Sequence, residues 1–325
     1  MKKSTLVILS LISLISCNKK EISSENKFET FVNCDISGDY KTYLNLLSED
    51  YKKLLLKKYK TTNENVLFDS IINFKNEFHN KIKNGEIKQE NIFVKEVTTD
   101  LKNVSIIKYR SVIIDLSNKN EMFKEKIILN KIENGIHKFI PYEIKFNQNI
   151  DSLILGNYSN EILDKIKNLS KFQQFDSDDK IFVAVKKRYL DYVKTFESSN
   201  DSLLNFIYPK AIQIITKESS LKNISKQNKK LILENIKQSK KIQELNFDQY
   251  FIDNFKKIET NEKQLYRLDY AISVGNNIYI PGKLIVIFDN NKIYFLEYDK
   301  DEFQSTLSNL YNKNTMVCIQ KAFRN

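Results

Sequence analysis

Two histidines, His79 and His137, are all the imidazole in this chain of 325 residues. Any histidine-dependent acid–base site or nucleophilic triad must therefore use one of them. His79 lies among Glu77, Asn80 and Lys81 in a helical pattern, which reads as a solvated side chain. His137 follows an Asn134-Gly135 turn and opens a strand. No Gly-x-Ser-x-Gly elbow supplies a serine nucleophile, and the chain's six glycines form no phosphate-cradling loop. Cys–His metal spacing is absent. Asp176, Asp178 and Asp179 lack the glycine and terminal glutamate of a calcium hand and read as solvated linker. Tyr109 and Asp115 share one face of a strand-like run, as do Leu265, Arg267 and Asp269 on another, with Tyr266 and Tyr270 facing the opposite way. Burial preferences make such tyrosines core and such aspartates solvent-facing. These residues name no catalytic group, no metal and no cofactor.

Cysteine is the remaining reactive type, and one of the three has a telling context. Two lysines, Lys2 and Lys3, precede an apolar run from Leu6 to Ile15. That run is too short for the roughly 20 residues a membrane-crossing helix needs. Leu14-Ile15-Ser16-Cys17 then puts an aliphatic residue three before the cysteine and a small one directly before it. The leader resembles the signal peptide and lipobox of bacterial lipoproteins. The resemblance implies cleavage before Cys17, a diacylglycerol on its thiol and acylation of the new amino terminus. Each buried CH₂ adds about 0.8 kcal/mol, so two or three chains hold far more firmly than one. An ordinary secretory signal would want a small residue where Leu14 stands. Beyond Cys17, a polar stretch rich in Lys, Glu and Ser reads as a flexible tether. Its basic start, Asn18-Lys19-Lys20, contrasts with the acidic signal for surface display and favours an outer-membrane protein facing the periplasm. Cys34 sits in an apolar helix pattern as a buried thiol. An oxidising envelope would permit it to pair with Cys318, a question the sequence leaves open.

The net charge is +11, yet only Arg110, Arg188, Arg267 and Arg324 are arginines. Forked recognition of phosphate or guanine favours arginine, whereas lysine acts as a hydrated point charge. The lysine excess reads as coding bias, and nucleic acid is excluded as a partner. A hydrophobic content of 41% with 21 Phe and 17 Tyr suffices for real cores.

Periodicity predicts one architecture twice, offset by about 160 residues. Helical stripes run through Phe28, Phe31, Val32 and Ile36, then Tyr43 to Leu47, Tyr51 to Tyr59 and Ile71 to Ile82, with a break at Gly38-Asp39. Strand patterns follow at Ile92 to Thr98, Val104 to Asp115, Met122 to Ile132 and Ile136 to Tyr142, the last two joined by Asn134-Gly135. The second copy repeats the order. A stripe through Ile181, Val185, Tyr189, Tyr192 and Val193 leads to Leu204 to Ile207 and a helix through Leu231, Ile232 and Ile242. Strands follow at Tyr250 to Ile258, Leu265 to Val274, Lys283 to Asp289 and Lys292 to Tyr298. The expected fold class is α+β in two tandem domains, each with N-terminal helices packed on a curved antiparallel sheet. The expected divisions are signal peptide 1–16, lipidated tether 17–27, first domain 28–148, connecting helix and linker 149–179, second domain 180–300, and C-terminal helix and tail 301–325, with Asp301 capping the last helix.

A helix, a Gly-Asp break, a Leu-Leu-Ser-Glu-Asp-Tyr segment ending at Tyr51 and four strands together resemble the cone fold of nuclear transport factor two and ketosteroid isomerase. The second copy departs from it, with Tyr208-Pro209 where Ser48-Glu49 would align. Some cones of this kind hold an enzyme pocket. The isomerase pattern needs a carboxylate base facing a Tyr and a protonated Asp, which does not map onto Tyr109, Asp115 or their counterparts. Tyr189, Tyr192, Tyr266, Tyr270, Tyr279, Tyr294 and Tyr298 would line a cavity or a partner surface, or belong to the core. The expectation is a lipid-anchored envelope protein with no catalytic role and Cys17 as its lipid site. It would bind or scaffold another envelope protein or a small apolar ligand. The alternative is an enzyme of the ketosteroid-isomerase type, and a third reading is a surface adhesin.

Overall fold

Gly38 and Asp39 show how the sequence sets its helix boundaries. Gly38 takes a φ of +79°, left-handed backbone that favours glycine. The Asp39 side chain then accepts the Thr42 N–H at 3.1 Å and caps the next helix. Ser48 repeats the device, its hydroxyl accepting the Tyr51 N–H at 3.2 Å. The computed structural model describes residues 24–118, 120–142, 147–198, 201–217, 224–230, 232–233, 249–261, 264–275, 277–298 and 303–324. Cys17, Leu231, Ile242 and Asp301 lie outside the described residues. The chain is α+β, and its strands pair antiparallel. Among the described residues no helix is long and apolar enough to cross a membrane.

The chain forms two compact units: residues 1–118 with 126–168, and 119–125 with 169–325. The first contains α1 (Ser24–Ser37), α2 (Tyr40–Leu46), α3 (Glu49–Lys58) and α4 (Glu64–Lys83). Strands β1 (Ile87–Thr98), β2 (Val104–Asp115), β3 (Asn120–Glu133) and β4 (Ile136–Tyr142) follow. Asn134 and Gly135 have φ of 52° and 76° and close the β3–β4 hairpin, where Glu133 pairs with Ile136. The expected single connecting helix is two, α5 (Asn147–Asn157) and α6 (Asn160–Ser170). The Ser159 hydroxyl accepts the Ile162 N–H and starts α6 anew.

The second unit opens with α7 (Lys180–Ser198), a 3-10 turn over Asp201–Phe206 and α8 (Pro209–Thr216). Ile232 falls in helical residues 232–233 and is buried. Strands β5 (Tyr250–Ile258), β6 (Leu265–Ser273), β7 (Ile278–Asp289) and β8 (Lys292–Glu297) form its meander, followed by α9 (Phe303–Leu310) and α10 (Lys313–Arg324). β7 begins five residues earlier than the expected Lys283, because Pro281-Gly282 lies within the strand, not before it. Asn290 and Asn291 both take positive φ and make the β7–β8 turn without glycine. The residues of β3 that group with this unit pair Phe123 with Tyr279 on β7.

Both faces of the second unit's strands are covered, which explains why eight of nine residues in β6 are buried. Leu268, Tyr270 and Leu284 pack with Tyr189 and Tyr192 of α7 on one face. Leu265, Ile285 and Ile287 pack with Leu307 of α9 and Ile319 and Phe323 of α10 on the other. The terminal stretch from Met316 to Phe323 is thus a packed helix.

Candidate functional site

The side chains proposed for chemistry do not converge on one place. Tyr109 is buried against Phe28 of α1, with ring centroids 5.2 Å apart. Asp115 ends β2 in a local turn, accepting the Ser117 N–H at 2.9 Å and its hydroxyl at 2.6 Å, which lowers its carboxyl pKa. Asp269 corrects the solvent-facing expectation. It is buried, accepts the Arg267 Nε–H at 2.7 and 2.9 Å and the Asn254 amide at 3.2 Å, and Arg267 in turn donates to the Ala322 carbonyl of α10. This pair lies under a helix and fastens it to the strands.

His79 also departs from expectation. It is buried on α4, its Nε2 2.6 Å from the Tyr40 hydroxyl. Burial lowers its pKa, Asp35 opposes that, and Lys75 and Lys83 reinforce it. The helix pattern placed His79 beside exposed neighbours, but α2 covers its face of α4. Lys75 meanwhile pairs with Asp35 and stands over the rings of Tyr40 and Tyr43.

His137 belongs to a polar quartet that sequence reading missed. Its Nδ1–H donates to the Asn130 side-chain carbonyl at 3.0 Å, and the Asn130 amide donates to the Ser105 hydroxyl at 3.2 Å. Ser105 donates to Glu96. Strand alternation puts all four on the face covered by α1, since Asn130 pairs with Phe139, Glu96 with Ile107 and Ser105 shares parity with Tyr109. Burial lowers the His137 pKa, Glu96 raises it and Lys27 lowers it. Serine, histidine and glutamate are the residue types of a triad in the wrong order. The hydroxyl faces the carboxylate and the imidazole faces an amide, so no base stands ready to take the serine proton. The only usable signal in the sequence was inward parity, which is weak without the strand register.

The acidic linker is also more engaged than expected. Asp176 bonds Lys186 at 2.9 Å, and Asp179 caps α7 by accepting from Ile181 and Phe182. Among the described residues no cluster of His, Cys, Asp and Glu has a metal-holding arrangement. Cys34 is buried and Cys318 partly so, and both are free thiols. Burial raises the Cys34 pKa, helped by Asp39 and Asp35.

The tyrosines divide among three places. Tyr189, Tyr192, Tyr266 and Tyr270 lie in the core beneath α7, Tyr294 and Tyr298 pack with α9 and α10, and Tyr279 stacks with Phe123. Comparison with known proteins finds no matching family model, no matching curated protein and no matching solved structure.

Proposed function

We propose that this is a lipid-anchored envelope protein, held through Cys17, in which two copies of one α+β module serve as non-catalytic binding or scaffolding modules. The observation that carries the modular part is a set of matched ring contacts. Phe28 and Phe31 of α1 meet Tyr109 and Phe139 at 5.2 and 4.7 Å. Tyr189 and Tyr192 of α7, each 161 positions on, meet Tyr270 and Phe295 at 5.9 and 5.2 Å. Isolated bridges Leu47–Phe139 and Ile207–Phe295 repeat the same join. Helix pairs α5–α6 and α9–α10 extend the likeness beyond the meanders. Ser159 and Asn312 each cap the second helix of a pair by accepting the N–H three residues on.

The interiors favour binding over catalysis. The space a cone would keep open for substrate is taken by Phe28, Phe31 and Phe139 in one unit and by Phe182, Leu268 and Phe295 in the other. Crosslinking in living cells followed by mass spectrometry tests this: a specific envelope protein should be recovered. Recovery of none, together with turnover of a small substrate by the purified chain, would overturn it.

Acid–base catalysis of the ketosteroid-isomerase kind in the first unit is the second reading. It draws on the hydrogen-bonded series His137–Asn130–Ser105–Glu96 on the helix-covered face. Under that reading His137→Gln abolishes an activity that Ser117→Ala leaves intact.

A further inference from the structure

Strands β1 and β5 hold the same place in their units but differ in what lies along their outer edge. Each carries a one-residue bulge, after Phe93 and after Ile252. The residue before each bulge stands opposite a tyrosine, Phe93 against Tyr109 and Ile252 against Tyr270. In the second unit, the segment ahead of α7 covers the edge. The Phe175 N–H donates to the Ile252 carbonyl at 2.8 Å. Phe172 packs on Phe251 with centroids 5.2 Å apart, and Phe175 meets Phe182 edge-on at 5.0 Å.

On β1 no described residue makes the corresponding contacts. Ile92, the counterpart of Phe251, is 49% exposed, and Val94 is 44% exposed. No described residue donates to the Phe93 carbonyl from the outer side. Inward residues follow the same contrast: Tyr250 and Ile252 are buried, whereas Asn91 and Phe93 are only partly so. A strand edge that no described residue covers, bearing two aliphatic side chains, is a template for strand addition.

We propose that the β1 edge at Ile92–Val94 takes an extended segment of a partner protein carrying two aromatic residues three positions apart. One aromatic seats on Ile92, as Phe172 seats on Phe251, and the N–H of the other bonds the Phe93 carbonyl. This rests on the reading of the chain as a binding module and names the class of partner. The chemistry of the occupant is read from the second unit, where the chain supplies its own Phe-x-x-Phe.

The probe is a labelled peptide with the sequence of residues 170–179, Ser-Lys-Phe-Gln-Gln-Phe-Asp-Ser-Asp-Asp, titrated with the full-length chain. The tethered copy keeps β5 occupied through its high effective concentration, so added peptide meets β1. Saturable binding is expected, absent for the peptide with both Phe replaced by Ala. Ile92→Lys or Val94→Lys should weaken it about tenfold, equivalent to roughly 1.4 kcal/mol. Circular dichroism identifies a variant that fails to fold, and the Ala peptide decides the matter without either variant. No saturable binding at millimolar peptide, equal binding of the Ala peptide, or binding untouched in two folded Lys variants overturns the proposal. Each of these outcomes leaves the lipid anchor standing, because that depends on Cys17 alone.

Discussion

The Nε2 atom of His79 lies 2.6 Å from the Tyr40 hydroxyl, inside the helical layer of the first unit. Gly38 makes room for it: a Cβ there would stand 2.9 Å from the imidazole Nδ1. The fold holds this ring below its ordinary pKa of 6.5, chiefly by burial. The unfolded chain therefore binds the proton more readily, and stability is fully present above about pH 6.5 and declines as pH falls below it. His137 shifts in the same direction and adds to the slope. Urea denaturation should show a lower midpoint at about pH 5.5 than at about pH 7.5. His79→Gln should flatten part of that difference, and an unchanged slope in this variant would contradict the assignment.

Removing a hydroxyl should have opposite effects at two tyrosines. Tyr189 is 1% exposed and its hydroxyl has no hydrogen-bond partner among the described residues. Its ring packs in the apolar cluster with Tyr192, Tyr270 and Phe295, which a phenyl ring would fill equally. Tyr189→Phe should raise stability by about 1 kcal/mol, since a buried unsatisfied hydroxyl costs about 1–3 kcal/mol. Tyr40→Phe should lower it by a similar amount, about 1–2 kcal/mol, by stranding the imidazole nitrogen. Chemical denaturation of the two variants measures both signs.

Much of the fold was legible in the sequence because it is locally encoded. Asn134-Gly135, Gly38-Asp39 and Asp289-Asn290-Asn291 each specify a turn through their own backbone preferences, and all three stand where they were expected. Burial was harder to read, because it depends on what arrives from elsewhere in the chain. His79 and Asp269 both looked solvated on their own elements, and each is covered by a helix that periodicity alone could not dock. The Glu96–Ser105–Asn130–His137 quartet was invisible for a related reason. Its members come from four strands, and only the register brings them side by side.

The Arg267–Asp269 pair should behave as a buried ion pair. Removing one partner, by Arg267→Met or Asp269→Leu, leaves an uncompensated charge and should cost about 3–5 kcal/mol. The double variant should recover much of that loss, because well-packed apolar groups replace such pairs at little cost. A double-mutant cycle by urea denaturation measures the coupling, and additive losses would contradict it.

Gly282 is fixed by packing. A Cβ at this position would overlap the Tyr270 Cζ and its hydroxyl, across the register pair Tyr270–Gly282. Gly282→Ala should therefore destabilise the second unit by about 1–3 kcal/mol through overpacking. Combining it with Tyr270→Ala should relieve the clash, so that the double variant loses less than the sum of the single losses.

Membrane attachment through Cys17 is the claim from which the assignment to the envelope follows. Intact-mass analysis of the native product, extracted from cell membranes with detergent, tests it most directly. The account predicts a chain that starts at Cys17 and carries the added mass of two or three acyl chains. A product that retains Met1 to Ser16, or a processed chain without acyl groups, would contradict it.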